Sequence, residues 1–272
     1  MSGERPRPKK SLGQNFLQDP ALIRRLTAAV EAGPGDFVLE YGCGTGALTR
    51  PLAASGARLV GVEVDRELLR ILMEDPALEG VIWREDGLEA NPPSRLAREF
   101  GVGRIKLVGN LPYQLSSTAL FGAVEDAGCV ERVLFMLQRE VAERIQTGPG
   151  SRRYGILPAL VQARFSVEKV LDAGSGAFFP PPGVRSRALL LRPLERPRVD
   201  PQLWPRYREM VKLLFRERRK QLRPVLKKIY AAEAGHLLER LASEGMDLSR
   251  RPETLAIEEL AALTAALPPV QR

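Results

Sequence analysis

At 272 residues and 44% hydrophobic content, the chain can bury a sizeable core in one large domain or two smaller ones. It contains no run of about 18 apolar residues, and no apolar stretch follows its polar, basic N-terminus; neither a membrane-spanning helix nor a secretory signal is expected, and a soluble, monomeric, cytoplasmic protein is. A net charge of +8 favours a polyanionic partner, whereas two distant cysteines, Cys43 and Cys129, and the single histidine His236 argue against a zinc site or a histidine-based triad.

Arg5, Arg7, Lys9 and Lys10 make a basic arm before the first element. A helix is predicted from Asp19 or Pro20 to about Glu31, on the spacing of Leu22, Ile23, Leu26 and Val30, and Gly33-Pro34-Gly35 stops it. Phe37 to Leu39 reads as a buried strand, followed by a glycine-rich turn and a helix from about Ala47 to Ala54. A strand over Arg58 to Val64, a helix over Arg66 to Met73, a strand over Val81 to Trp83 and a helix over Arg95 to Phe100 come next. Arg104 to Val108 is the fourth strand, Thr118 to Glu125 a helix, Arg132 to Leu137 the fifth strand, and Glu140 to Ile145 opens another helix. Strands and helices alternating at this spacing imply βαβ units and a mainly parallel, Rossmann-like α/β sheet with helices on both faces.

After Gly148-Pro149-Gly150 a helix is expected over Ile156 to Ala163, then strands over Phe165 to Leu171 and Ala188 to Arg192, flanking a stiff loop at Phe178-Phe179-Pro180-Pro181-Pro182. Pro193, Pro197 and Pro201 mark a linker. Beyond it four helices are expected, over Trp204 to Arg216, Lys220 to Ala232, His236 to Glu244 and Ile257 to Ala266. The expected organisation is a basic arm and pocket motif over residues 1–18, an α/β domain over 19–195, and a small all-α domain over 196–272. Within the last, Arg216, Arg218, Arg219, Lys220 and Arg223, with Lys227 and Lys228, form a second basic cluster suited to phosphates.

The chemistry concentrates at predicted strand ends. Gly42, Gly44 and Gly46 follow a strand and precede a helix, where bare main chain can approach a ligand. Glu63, about 20 residues on, ends the next strand, where a carboxylate can accept ribose hydroxyls. This pattern fits NAD as well as S-adenosylmethionine. Glu40, just before the glycines, can hold an ammonium group that NAD lacks, and Asp86 after the third strand can accept from an adenine amine; the three carboxylates favour S-adenosylmethionine. At the end of the fourth strand stands Asn110-Leu111-Pro112-Tyr113. An amide and adjacent carbonyls there can grip an exocyclic amine while Tyr113 stacks on its ring, although Asn and Pro also suit an ordinary turn.

Gly13 to Leu17, Glu40 to Gly46, Asn110 to Tyr113, Leu137 to Ala142 and Phe178 to Ser186 occur in the order found in the ribosomal RNA adenine dimethyltransferases, which the chain resembles from about Lys10 to Pro224. It looks most like the branch acting on small-subunit rRNA, the kasugamycin-resistance dimethyladenosine transferases. The resemblance implies a pocket for S-adenosylmethionine lined by Asn15 and Leu17, with Gly42 at the methionine end, Glu63 at the ribose and Asp86 at the adenine. It also implies that Asn110 and Leu111 hold the target amine, with Asn110 and Gly44 also against the cofactor, and that Tyr113 and Phe178 enclose the target base. The partner implied is small-subunit rRNA within a 30S particle. Cys43, Thr45, Gly183 and Arg185 depart from the family pattern. Two other readings stay open: a large-subunit rRNA methyltransferase of the macrolide-resistance type, and an RNA-binding ribosome-assembly factor whose methylation is dispensable.

Overall fold

Short aliphatic and β-branched runs become strands, and amphipathic stretches become the helices that cover them. The computed structural model describes residues 7–270. In chain order it holds β1 (Phe16–Leu17), α1 (Pro20–Val30), β2 (Phe37–Tyr41), α2 (Thr49–Ala53), β3 (Arg58–Val62), α3 (Arg66–Met73), β4 (Ile82–Arg84), α4 (Pro93–Phe100), β5 (Ile105–Asn110), α5 (Ser116–Glu125) and β6 (Val130–Gln138). There follow α6 (Arg139–Ile145), α7 (Ile156–Arg164), β7 (Phe165–Ala173), β8 (Phe178–Phe179), β9 (Ser186–Pro193), α8 (Trp204–Arg216), α9 (Leu222–Tyr230), α10 (Ala234–Ser243) and α11 (Ile257–Ala266).

Residues up to Ala142 join Ser166–Pro193 in one compact unit, an α/β sandwich. Its seven-stranded sheet has the order β4-β3-β2-β5-β6-β9-β7. The pairs from β4 to β6 are parallel, and β9 runs antiparallel to β6. The chain builds outward from β2 to β4 and then returns to set β5 on the other side of β2. At that reversal, the segments leaving β2 and β5 open a crevice beyond the strands' carboxyl ends, the general ligand position of such sheets.

Alternation along the strands gives the sheet two buried faces. Val38, Leu59, Val108, Leu134 and Leu190 share a core with Leu26 and Val30 of α1 and Leu52 of α2. On the opposite face, Phe37 meets Phe100 of α4 with ring centroids 5.2 Å apart. At one position the strands leave no room for a side chain. A Cβ on Gly61 would lie 2.5 Å from Trp83 and 3.0 Å from the Cys43 sulfur. Gly61→Ala is therefore expected to destabilise the protein by about 1–3 kcal/mol through overpacking, seen as a lower urea midpoint with an unchanged m-value.

The second unit is drawn from two stretches, Glu143–Phe165 and everything from Leu194 onward, rather than from one cut near Arg196. The physical reason lies in α7. Leu157, Pro158, Ala159, Leu160, Val161 and Ala163 are all buried, and a helix apolar on every side must be surrounded. It packs on α8 and α11, with the Tyr207 hydroxyl donating to the Ala159 carbonyl at 3.2 Å. The helices expected at Trp204–Arg216 and Ile257–Ala266 match residue for residue. Phe178 and Phe179, expected in a loop, instead pair with Leu17 and Phe16 in a two-stranded antiparallel ribbon.

Candidate active site

The crevice between β2 and β5 holds a cavity of about 260 Å³. Its floor is the glycine turn after β2. Gly44 has φ of +56°, a left-handed backbone that disfavours side chains, and this geometry sends its N–H to Glu63 Oε2 at 2.7 Å. Glu63 Oε1 accepts from the Asp65 N–H at 2.9 Å, so the carboxylate at the end of β3 is rigidly aimed. Glu40 lies deeper, 1% exposed, and its Oε2 has no hydrogen-bond partner among the described residues. Burial pushes its carboxyl up to about 8, the nearby Thr49 hydroxyl, too poorly aligned for a full hydrogen bond, offsets part of that, and the Glu63 carboxylate adds to the rise. Glu63 is itself raised, again chiefly by burial. A buried polar atom without a partner is costly, and a cationic donor placed beside Oε2 would satisfy it and favour the carboxylate.

The opposite wall comes from β5 and from the N-terminal segment. Asn110 is the last residue of β5, and its Nδ2 donates to the Asn15 main-chain carbonyl at 3.1 Å. Leu111 is buried and lines the cavity with Asn15, Leu17 and Phe178. The β1–β8 ribbon holds Leu17 opposite Phe178. Segments some 160 residues apart in sequence thus close one side of the site.

The site's strand ends, glycine turn and polar wall form one cavity at the switch point, and whole-chain comparison bears on its identity. The family model for ribosomal RNA adenine dimethylase matches residues 6–263. The chain belongs to the ribosomal RNA adenine dimethylase family. It is an S-adenosylmethionine-dependent rRNA adenine dimethyltransferase. The dimethylase is 40% identical over 272 residues to the ribosomal RNA small subunit methyltransferase A of Geobacter metallireducens, covering 98% of each chain. With the protein of that name from Anaeromyxobacter dehalogenans the identity is 41%, over 96% of this chain and 94% of the other. Among solved structures, a dimethyladenosine transferase from Plasmodium falciparum shares the fold at 22% identity, with a TM-score of 0.75 over 91% of this chain and 95% of that one. The 23S rRNA methyltransferase ErmE follows at 25% identity, with a TM-score of 0.65 over 93% and 99%.

The donor set of the dimethylase fits the cofactor. The orphaned Glu40 Oε2 suits the ammonium of a methionine moiety, Gly42 and Gly44 leave the main chain bare, and Glu63 retains lone pairs for ribose hydroxyls. Of the residues expected from sequence, Asn15, Leu17, Glu40, Gly42, Gly44, Glu63, Asn110, Leu111 and Phe178 all line this cavity. Asp86 does not: it is exposed, and Val64 and Leu88 line the cavity in that region instead. The Tyr113 side chain lies outside the described residues, as does Arg5 of the basic arm. Cys43 is buried against Leu72 and Leu78, and burial lifts its thiol well above the usual range, so it is packing rather than a nucleophile.

The second basic cluster is not uniform. Arg218 donates to the Arg152 and Tyr154 carbonyls, and Lys220 and Lys228 pair with Glu217. Arg216, Arg219, Arg223 and Lys227 are exposed and make no ion pair among the described residues. Sequence reasoning missed Gln14, Lys9 and Asp65, which tie the N-terminal segment down. A glutamine and a lysine in a polar arm carry no local signal of a partner some 50 residues away.

Proposed function

We propose that the dimethylase acts on small-subunit rRNA, as a monomer in the cytoplasm, converting adenine N6 amines to dimethylamines on a pre-assembled 30S particle during ribosome biogenesis. The observation that carries this reading is the near-full-length match to relatives named for the small subunit. The likeness to ErmE, at lower identity, supports the same chemistry and makes the large subunit the competing substrate.

Bound in the cavity, S-adenosylmethionine supplies a sulfonium methyl that is already electrophilic. What remains for the protein is to position and localise the nucleophile. An adenine N6 lone pair is delocalised into the ring. Asn110 Oδ1 and a main-chain carbonyl next to it accept from the two N–H bonds, favour the pyramidal amine, and strengthen as positive charge grows on nitrogen, which lowers the barrier. No general base is needed before attack, consistent with a cavity that contains no histidine. The target base must leave its stack to enter, and stacking on Phe178 and Tyr113 offsets part of that cost, at roughly 1–3 kcal/mol per base.

Arg219 and Arg223, together with Arg216 and Lys227, are the cations available to grip phosphates. The double substitution Arg219→Ala with Arg223→Ala should lower the slope of log affinity against log salt by about 1.4–1.8; an unchanged slope in filter binding would remove the cluster from the RNA interface. Substrate choice is tested by transfer of labelled methyl to immature small subunits and, separately, to protein-free large-subunit rRNA, followed by nucleoside analysis. Dimethyladenosine in the first reaction is the expected result. Label only in large-subunit RNA would move the protein to the resistance branch, and cofactor binding without any transfer would favour an assembly factor.

A further inference from the structure

Asn110 is useful as an amine acceptor only in one orientation of its amide. A primary amide presents a donor edge and an acceptor edge, and a half-turn about its last bond exchanges them. In this structure the donor edge is already committed, because Nδ2 donates to the Asn15 carbonyl at 3.1 Å. Main-chain carbonyls accept and never donate, so this contact rejects the flipped amide and leaves Oδ1 as the free edge.

The carbonyl is itself fixed on both sides. The next two residues, Phe16 and Leu17, pair with β8. Before it, Gln14 Nε2 donates to Asp65 Oδ2 at 2.8 Å, and Gln14 Oε1 accepts from the Lys9 N–H at 2.7 Å. The Lys9 ammonium meets Asp65 Oδ1 at 2.5 Å, and the Asp65 side chain is only 1% exposed. Asp65 also caps α3 by accepting from the Glu67 N–H, and its own N–H is held by Glu63. The segment from Lys9 to Leu17 is therefore pinned at one end by a buried carboxylate and at the other by a strand pair.

We infer that this pinned segment is the fixed half of the amine clamp: the Asn15 carbonyl sets the Asn110 amide so that Oδ1 receives the substrate amine, and Lys9 and Gln14 are positioning residues acting through Asp65. The inference rests on the reading of Asn110 as the amine acceptor, and the two fail separately. It explains why an acceptor alone is insufficient at residue 110. A carboxylate there would offer acceptor atoms but would set one against the Asn15 carbonyl oxygen. A protonated carboxyl restores both halves, its O–H donating to Asn15 and its other oxygen accepting from the amine.

The test compares Asn110→Asp and Asn110→Ala with the unaltered protein in single-turnover methyl transfer at saturating cofactor across pH 5.5–8.5. Glu40, Tyr41, Cys43 and Glu63 are the other titratable residues lining the cavity, and with Lys9 and Asp65 they are common to all three proteins, so rates are taken as ratios to wild type. Asn110→Asp should be as inactive as Asn110→Ala at high pH and regain activity as pH falls, approaching tenfold per pH unit above the introduced group's pKa, while the Asn110→Ala ratio stays flat. Parallel, flat ratios for the two variants would overturn the clamp, as would full activity of Asn110→Asp at pH 8.5. Full turnover by Asn110→Ala would instead sink the underlying acceptor reading. In the same assay Lys9→Met should lose kcat several-fold at saturating cofactor while remaining folded at the assay temperature, its melting temperature lowered by loss of the Asp65 partner, and Lys9→Arg should restore both; unchanged kcat in Lys9→Met would also count against the pinned segment.

Discussion

Asn110→Ala is expected to reduce methyl transfer by at least about 10²–10³-fold, equivalent to about 3–4 kcal/mol of transition-state stabilisation, while cofactor affinity changes far less. The asymmetry follows from position. Asn110 stands at the carboxyl end of β5 facing the cavity, whereas the groups suited to the cofactor's charge and hydroxyls come from β2 and β3. An acceptor that strengthens only as charge develops on the amine contributes to kcat, not to ground-state binding. Deleting the side chain also frees the Asn15 carbonyl, so a small part of the loss reflects relaxation of the N-terminal segment. Rapid-quench transfer measures the rate, and calorimetric titration with S-adenosylmethionine measures the affinity. Unchanged turnover would remove Asn110 from the chemistry, and equal losses in rate and affinity would make it a cofactor ligand.

Cofactor binding at pH 7 should release close to one proton, and Glu40→Gln should abolish most of that release. Burial holds the Glu40 carboxyl up at about 8 in the free protein, so at pH 7 it is mostly protonated. A cationic ammonium beside Oε2 favours the carboxylate, and the proton must leave. Above about pH 8 the carboxyl is ionised beforehand and the release vanishes. The stability sign follows the same shift. A carboxyl raised above its unfolded value of 4.5 lends stability that is fully present below pH 4.5 and is lost as pH rises through about 8. Glu40→Gln should accordingly be more resistant to unfolding than wild type at pH 8 when ligand-free, yet bind S-adenosylmethionine at least about thirtyfold more weakly, the low end of the 2–5 kcal/mol for losing one partner of a buried charge pair. Titrations in two buffers of different ionisation enthalpy count the protons. Equal release by both proteins would move the titrating group elsewhere.

Much of this was legible in order along the chain. The helices Trp204–Arg216 and Ile257–Ala266 were readable to the residue because a 3.6-residue apolar period is a local property. The glycine turn, Glu40 before it and Glu63 about 20 residues on reach one cavity because a βαβ unit fixes where successive strand ends must lie. Asp86 is less well placed by the same logic: β4 is only three residues long, and the chain after it leaves Asp86 exposed two residues before Leu88, which does line the cavity. Arg218 counted toward a phosphate-binding cluster by composition, but its guanidinium is held by the carbonyls of Arg152 and Tyr154.

The amino-acid sequence by itself determined the main helices and strands, their largely parallel arrangement and the residue types at the strand ends, since each rests on spacing within some 30 residues, and the order of five motifs along the chain determined the family. Only the tertiary structure decided that α7 belongs with the C-terminal helices, that Phe16–Leu17 and Phe178–Phe179 form a ribbon, and that Asn15 faces Asn110. Two-residue strands have no period to detect. A hydrogen bond between residues 95 positions apart exists only once strand order and register have brought their backbones together.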